Sequence, residues 1–163
     1  MTIMEYKCTD CGFEFRDDSL IFYVEDDVLV EESLTLESSK KMSESDLMGY
    51  LYIGYCNNCD NYIKTYVPEL KGDFDKDSVV NRINNLIDNS NSDTKILIFD
   101  FDETSFQGRR EVLCDNICPK CGDSMCLLID EFHPCPKCGN DSIIDVNEWK
   151  VYDYCFIWGY WYS

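Results

Sequence analysis

Four Cys-x-x-Cys pairs are the residues most able to do chemistry: Cys8/Cys11, Cys56/Cys59, Cys118/Cys121 and Cys135/Cys138. A Cys-x-x-Cys turn sets two thiolates on one metal ion. A glycine after the second cysteine, as in Gly12, Gly122 and Gly139, accepts the backbone conformation such a turn requires. A tetrahedral ion takes four such ligands, so four pairs make two complete sites. The simplest pairing follows the chain. Cys8, Cys11, Cys56 and Cys59 then form site 1 across 44 intervening residues, and Cys118, Cys121, Cys135 and Cys138 form site 2 across 13. The expected ions are two Zn2+, with iron as the alternative, and their expected role is to hold the fold.

Two Cys-Pro-Lys-Cys-Gly knuckles around a short hairpin, over residues 114–150, resemble a zinc ribbon. The first site resembles one with an enlarged insertion, and its second knuckle departs from the pattern at Cys59-Asp60. The layout of residues 6–67 loosely resembles CpXC-type domains. Paired Cys-x-x-Cys-Gly loops also occur in rubredoxins, a resemblance that implies iron and electron transfer. Cys114, Cys126 and Cys155 are left over and read as small buried hydrophobes. The spacing of Cys114, Cys118 and Cys121 matches the cluster motif of radical SAM enzymes, but the chain has no room for their barrel. His133, the one histidine, reads as a surface residue beside a complete four-sulfur set.

Residues 96–104 resemble the first motif of the haloacid dehalogenase superfamily, which implies Asp100 as nucleophile and Asp102 as proton shuttle. Only 59 residues follow Thr104, too few for that fold, so a buried strand entering an acidic loop is expected there. No phosphate loop, serine elbow or His-Glu-x-x-His helix occurs. No enzymatic activity is expected.

Strands are expected at 20–24, 28–36, 51–55, 62–67, 95–101, 125–129, 143–146 and 149–158 from alternation or continuous apolar runs. Residues 38–45 read as a polar loop. Asp77 or Ser78 caps a helix to about residue 88, with Val79, Val80, Ile83, Leu86 and Ile87 on one face. The expected fold is α+β: two small zinc-ribbon-like antiparallel β modules, 1–72 and 106–163, bridged by one helix and one strand in 73–105.

The chain carries 32 acidic against 14 basic residues in 163, a formal charge of −18. Phosphate backbones are bound by displacing counterions with Lys and Arg, so nucleic acid is an unfavourable partner. A protein partner is expected instead, met as an adaptor, regulator or inhibitor through the acidic surface or the aromatic tail; a nucleic-acid or transcription-associated zinc-ribbon factor is the alternative. As a strand, that tail would put Tyr152, Tyr154, Phe156, Trp158, Tyr160 and Tyr162 on one face. No run of about 18 apolar residues occurs, so no membrane span is expected. The N-terminus lacks a basic stretch followed by an apolar core. A cytoplasmic location is therefore expected, where reduced thiols favour metal over disulfides.

Overall fold

The computed structural model describes residues 3–69, 75–87, 94–97, 99–101, 110–112, 117–128 and 134–147. In chain order the elements are β1 (Met4–Cys8), β2 (Glu14–Asp17), β3 (Leu20–Glu25), β4 (Val28–Ser33), α1 (Leu36–Glu44), β5 (Met48–Cys56) and β6 (Asn61–Pro68). Then come α2 (Lys76–Leu86), β7 (Thr94–Ile96), β8 (Phe99–Phe101), β9 (Arg110–Val112), β10 (Cys126–Leu128) and β11 (Ile143–Asp145). The fold is mixed α+β with mostly antiparallel sheets. It divides into two units that do not follow the expected boundaries near residues 72 and 106. An outer unit, in chain order, joins Met1–Asp18 to Leu128–Ser163, and an inner unit is Ser19–Leu127.

The inner unit is built on a sheet ordered β4-β3-β5-β6-β7, with β10 also paired to β5. Neighbours are antiparallel in β3–β4, β3–β5 and β5–β6, while β7 runs parallel to β6. Strand β3 is buried on both faces, because successive side chains point opposite ways and a helix covers each side. Phe22 and Val24 join Leu51 and Tyr66 beneath Val79 and Ile83 of α2. Ile21 and Tyr23 join Met48 beneath Met42 of α1. Gly49 makes room at the centre: a Cβ there would fall 2.2 Å from the Val67 carbonyl oxygen.

Several expectations change here. Residues 36–44 are helical, so the strand expected over 28–36 ends at Ser33 and the loop expected over 38–45 is helix as far as Glu44, with Ser45 its extended C-cap. Thr35 caps α1 in a reciprocal capping box with Ser38, and only Ser38 and Met42 are buried, so the helix rests on its cap more than on apolar periodicity. Helix α2 starts from Asp75, whose carboxylate accepts from the Ser78 NH, about a turn earlier than expected. The run at 95–101 is two strands, β7 in the large sheet and β8 paired with β9 in a separate one. Helix α2 and β7 are thus no bridge: α2 covers a face of the inner sheet and β7 extends it.

The outer unit is a three-stranded antiparallel sheet ordered β11-β1-β2. Tyr6 stacks on Phe15 with ring centroids 4.8 Å apart, Phe13 lies 6.2 Å from Phe15, and Ile143 is buried. Strands from opposite ends of the chain meet in this sheet, with Tyr6 opposite both Phe15 and Asp145. Among the described residues no helix is long and apolar enough to cross a membrane.

Candidate metal centres

Each unit gathers four cysteines whose sulfurs lie within 4.8 Å of one another: Cys8, Cys11, Cys135 and Cys138 in the outer unit, and Cys56, Cys59, Cys118 and Cys121 in the inner. The eight expected ligands are all used, but the pairing along the chain is not the observed one. Cys8 and Cys11 meet Cys135 and Cys138 rather than Cys56 and Cys59. Cys118 and Cys121 meet Cys56 and Cys59 rather than Cys135 and Cys138.

Strand pairing is the physical reason. Cys8 ends β1, and β1 pairs with β11 so that Cys8 stands opposite Ile143 and the Thr9 NH donates to the Ser142 carbonyl at 2.9 Å. The turn at 135–139 precedes β11 and is carried to the β1–β2 turn. In the inner unit, Cys56 and Cys59 occupy the tip of the β5–β6 hairpin, where Cys56 faces Asn61. Strand β10 pairs with β5, and Met125 packs where a Cβ on Gly54 would otherwise intrude, 2.8 Å from its methyl carbon. The 118–122 turn thereby reaches the hairpin tip, where Cys56, Ile63, Cys118 and Met125 form one buried cluster. Lys95 Nζ fixes the entry to that turn by donating to the Ile117 carbonyl at 2.6 Å.

Three of the four turns have one construction. The first cysteine donates its NH to the carbonyl five residues on, at 2.8 Å for Cys8 to Phe13, 2.7 Å for Cys118 to Asp123 and 2.8 Å for Cys135 to Asn140. The following glycine closes back onto it with φ of 77, 78 and 77° at Gly12, Gly122 and Gly139. A Cβ on any of these glycines would meet nothing within 4 Å, so the requirement is the left-handed backbone and not space. The fourth turn uses Asp60 at that position with φ of 49°. An aspartate tolerates this region better than most residues, and the Asp60 carboxylate is held there by the buried Tyr55 hydroxyl, which donates to it at 2.5 Å. Burial first, and then the Asp60 carboxylate, push the Tyr55 hydroxyl above its usual range.

The sulfur geometry fits a tetrahedral ion. Cys8–Cys138 and Cys11–Cys135 are 3.6 Å apart, Cys56–Cys121 3.5 Å and Cys59–Cys118 3.9 Å. Metal–sulfur bonds of about 2.3 Å in a tetrahedron give edges of about 3.8 Å, and a disulfide needs about 2.05 Å. The first cysteine of every pair is buried, and the second is exposed or half-buried.

Thiol electrostatics divide within each set. Burial raises the Cys8 thiol but is outweighed by the NH groups of Cys11 and Asp10, leaving it at about 7. The Asn58 side chain, followed by the Asp123 NH, brings Cys121 down to about 6. Against these, Cys138 rises to about 12: the Asn140 NH favours its thiolate, but burial and the neighbouring sulfurs Cys8, Cys135 and Cys11 outweigh it. Cys59 likewise rises to about 12, first through Cys121 and then through burial. Four thiolates at this spacing repel, and a divalent cation at their centre removes the obstacle. Each cluster is therefore able to hold a metal ion.

Asn58, Tyr55, Gly54 and Met125 support the inner centre and were not singled out from the sequence. The Asn57-Asn58 pair inside a Cys-x-x-Cys turn was the one available signal. Cys126 lies on β10, half-buried, with its sulfur 3.5 Å from the Leu127 carbonyl oxygen and in neither set. Asp100 falls in β8, of which only the backbone is described. Asp102, Cys114, His133, Cys155 and the tail residues Tyr152, Tyr154, Phe156, Trp158, Tyr160 and Tyr162 lie outside the described residues. No family model, curated protein or solved structure matches the chain.

Proposed function

We propose that the chain is a non-catalytic zinc protein in which both ions serve the fold and the acidic surface takes a basic protein partner. The observation that carries this reading is the donor set: four sulfurs at tetrahedral spacing use every coordination position and leave none for a substrate. Such ions contribute folding free energy directly, because the assembled site does not exist in the unfolded chain. The formal charge of −18 supports a cationic partner over a nucleic acid. The exposed turn Glu25-Asp26-Asp27 and the exposed Glu37 and Glu44 of α1 place part of that charge on the inner unit.

Elemental analysis of natively purified protein, together with circular dichroism before and after chelation, tests the scaffold. Two zincs per chain and loss of structure on chelation are expected; iron, with the visible absorption of an iron–sulfur centre, would overturn the assignment. Affinity capture with the metal-loaded chain tests the partner. A basic protein retained at low salt and released at about 0.5 M salt is expected, since exposed charge contacts are screened there. Retention of nucleic acid instead, or of nothing, would overturn it.

A further inference from the structure

The two cysteine sets are nested in the chain. The inner set spans Cys56 to Cys121, and the outer set is divided between Cys8/Cys11 and Cys135/Cys138 on either side of it. The edge of β5 that does not face β3 is paired with β6 along its length, from Gly49–Pro68 to Cys56–Asn61. Strands β3 and β10, which also pair with β5, must therefore share its remaining edge. They are the first and last strands of the inner unit, so folding that unit brings its own two ends to one strand.

Resting on the reading that both clusters bind metal, we infer that loading is ordered: the inner cluster fills first, and its filling sets the affinity of the outer cluster. With the inner unit unfolded, closing the outer site ties a loop of 124 residues between Cys11 and Cys135. With it folded, only 14 residues outside the inner unit, 12–18 and 128–134, separate Cys11 from Cys135 along the chain. Loop closure scales as the three-halves power of length, so the outer affinity rises about 20- to 30-fold. The inner site itself closes only 59 residues between Cys59 and Cys118, which favours it about 3-fold over the outer site in an unfolded chain. The coupling is reciprocal. It therefore appears in the second binding step, while the first, at the inner cluster, is the same whether or not the outer ligands are intact.

The test is a Co2+ titration of the reduced, metal-free full chain against a competing chelator, followed by thiolate-to-cobalt absorption. Three proteins are compared: the wild type, Cys56→Ser/Cys59→Ser and Cys135→Ser/Cys138→Ser. The inner-site variant should bind one ion about 20-fold or more weakly than the wild-type second step. The outer-site variant should bind one ion within about 2-fold of the wild-type first step. A measurement that needs no variant is thiol alkylation of the wild type at one equivalent of Co2+, read by mass spectrometry. Because the second step is the tighter, empty and fully protected chains should dominate; among chains with four of the eight thiols protected, about three in four should have Cys56, Cys59, Cys118 and Cys121 protected and Cys8, Cys11, Cys135 and Cys138 alkylated. Outer affinity unchanged in the inner-site variant, or protection of the outer four in most of those half-protected chains, would overturn ordered loading while leaving the two-site reading intact. No charge-transfer absorption in any of the three proteins would overturn both.

Discussion

The sulfurs of Cys8 and Cys138 stand 3.6 Å apart although 130 residues separate them in the chain. Their approach is set by β1 pairing with β11, which brings the first and last described strands into one sheet. A metal ion bridging them would staple the ends of the chain across everything folded between. Cys56 and Cys121, 65 residues apart and 3.5 Å from sulfur to sulfur, repeat the arrangement within the inner unit.

The Tyr55–Asp60 bond compensates for the missing glycine in the fourth turn. Tyr55→Phe should destabilise the inner unit by about 1–2 kcal/mol, because it removes the charge-assisted hydrogen bond that holds the exposed Asp60 carboxylate. Asp60→Gly frees the left-handed backbone but removes the carboxylate that the Tyr55 hydroxyl bonds, so its net effect should be small. The double variant should be more stable than Tyr55→Phe, with a coupling of about 1 kcal/mol in a double-mutant cycle by denaturant unfolding. Strict additivity would show that the two groups do not support one another.

Two glycines in β5 should differ in cost. At Gly49 a Cβ meets backbone on two sides, the Val67 carbonyl oxygen at 2.2 Å and the Pro68 Cα at 2.6 Å. Gly49→Ala should cost about 3 kcal/mol, since rigid strands must part. At Gly54 the nearest atom is the flexible end of Met125. Gly54→Ala should cost about 1 kcal/mol and should loosen the inner metal site, because Met125 follows the 118–122 turn. Thermal unfolding and metal competition on the two variants check the order.

Arg82 of α2 holds Asp46 through bonds of 2.7 and 3.2 Å. The hydrogen bond from Arg82 keeps the Asp46 carboxyl below its usual range. A carboxyl whose folded value is lowered contributes stability above its unfolded value of about 3.9 and loses it as pH falls through the lower folded value. The Asp46 side chain is largely exposed and that of Arg82 partly so, so the pair contributes at most about 0.5–1 kcal/mol. Asp46→Asn should lower stability by that much at pH 7, less in 0.5 M salt, with no change in the deficit between pH 6 and 8. A larger, salt-independent loss would assign Asp46 a packing role instead.

What was legible in the sequence was local. The Cys-x-x-Cys turns were, because their glycines mark the left-handed residue within five positions, and so was α2, whose apolar residues repeat at helical spacing. The partner of each turn was not. It is decided by β10 and β11, three-residue strands pairing with segments far away in the chain, and no spacing rule encodes which of two strands each will join. Helix α1 was hidden because Ser38-Ser39-Lys40-Lys41 offers no apolar stripe, and its capping box reads equally well as loop composition. The division of 95–101 was hidden because one apolar run serves two different sheets.

The most direct test of the nested pairing is native mass spectrometry of two double variants, each lacking two thiols. Cys8→Ser/Cys138→Ser removes two ligands from one set and should keep one metal ion per chain. Cys8→Ser/Cys59→Ser removes one ligand from each set and should keep none. The reverse result, with no ion in the first variant and one in the second, would restore the pairing along the chain and contradict the arrangement described.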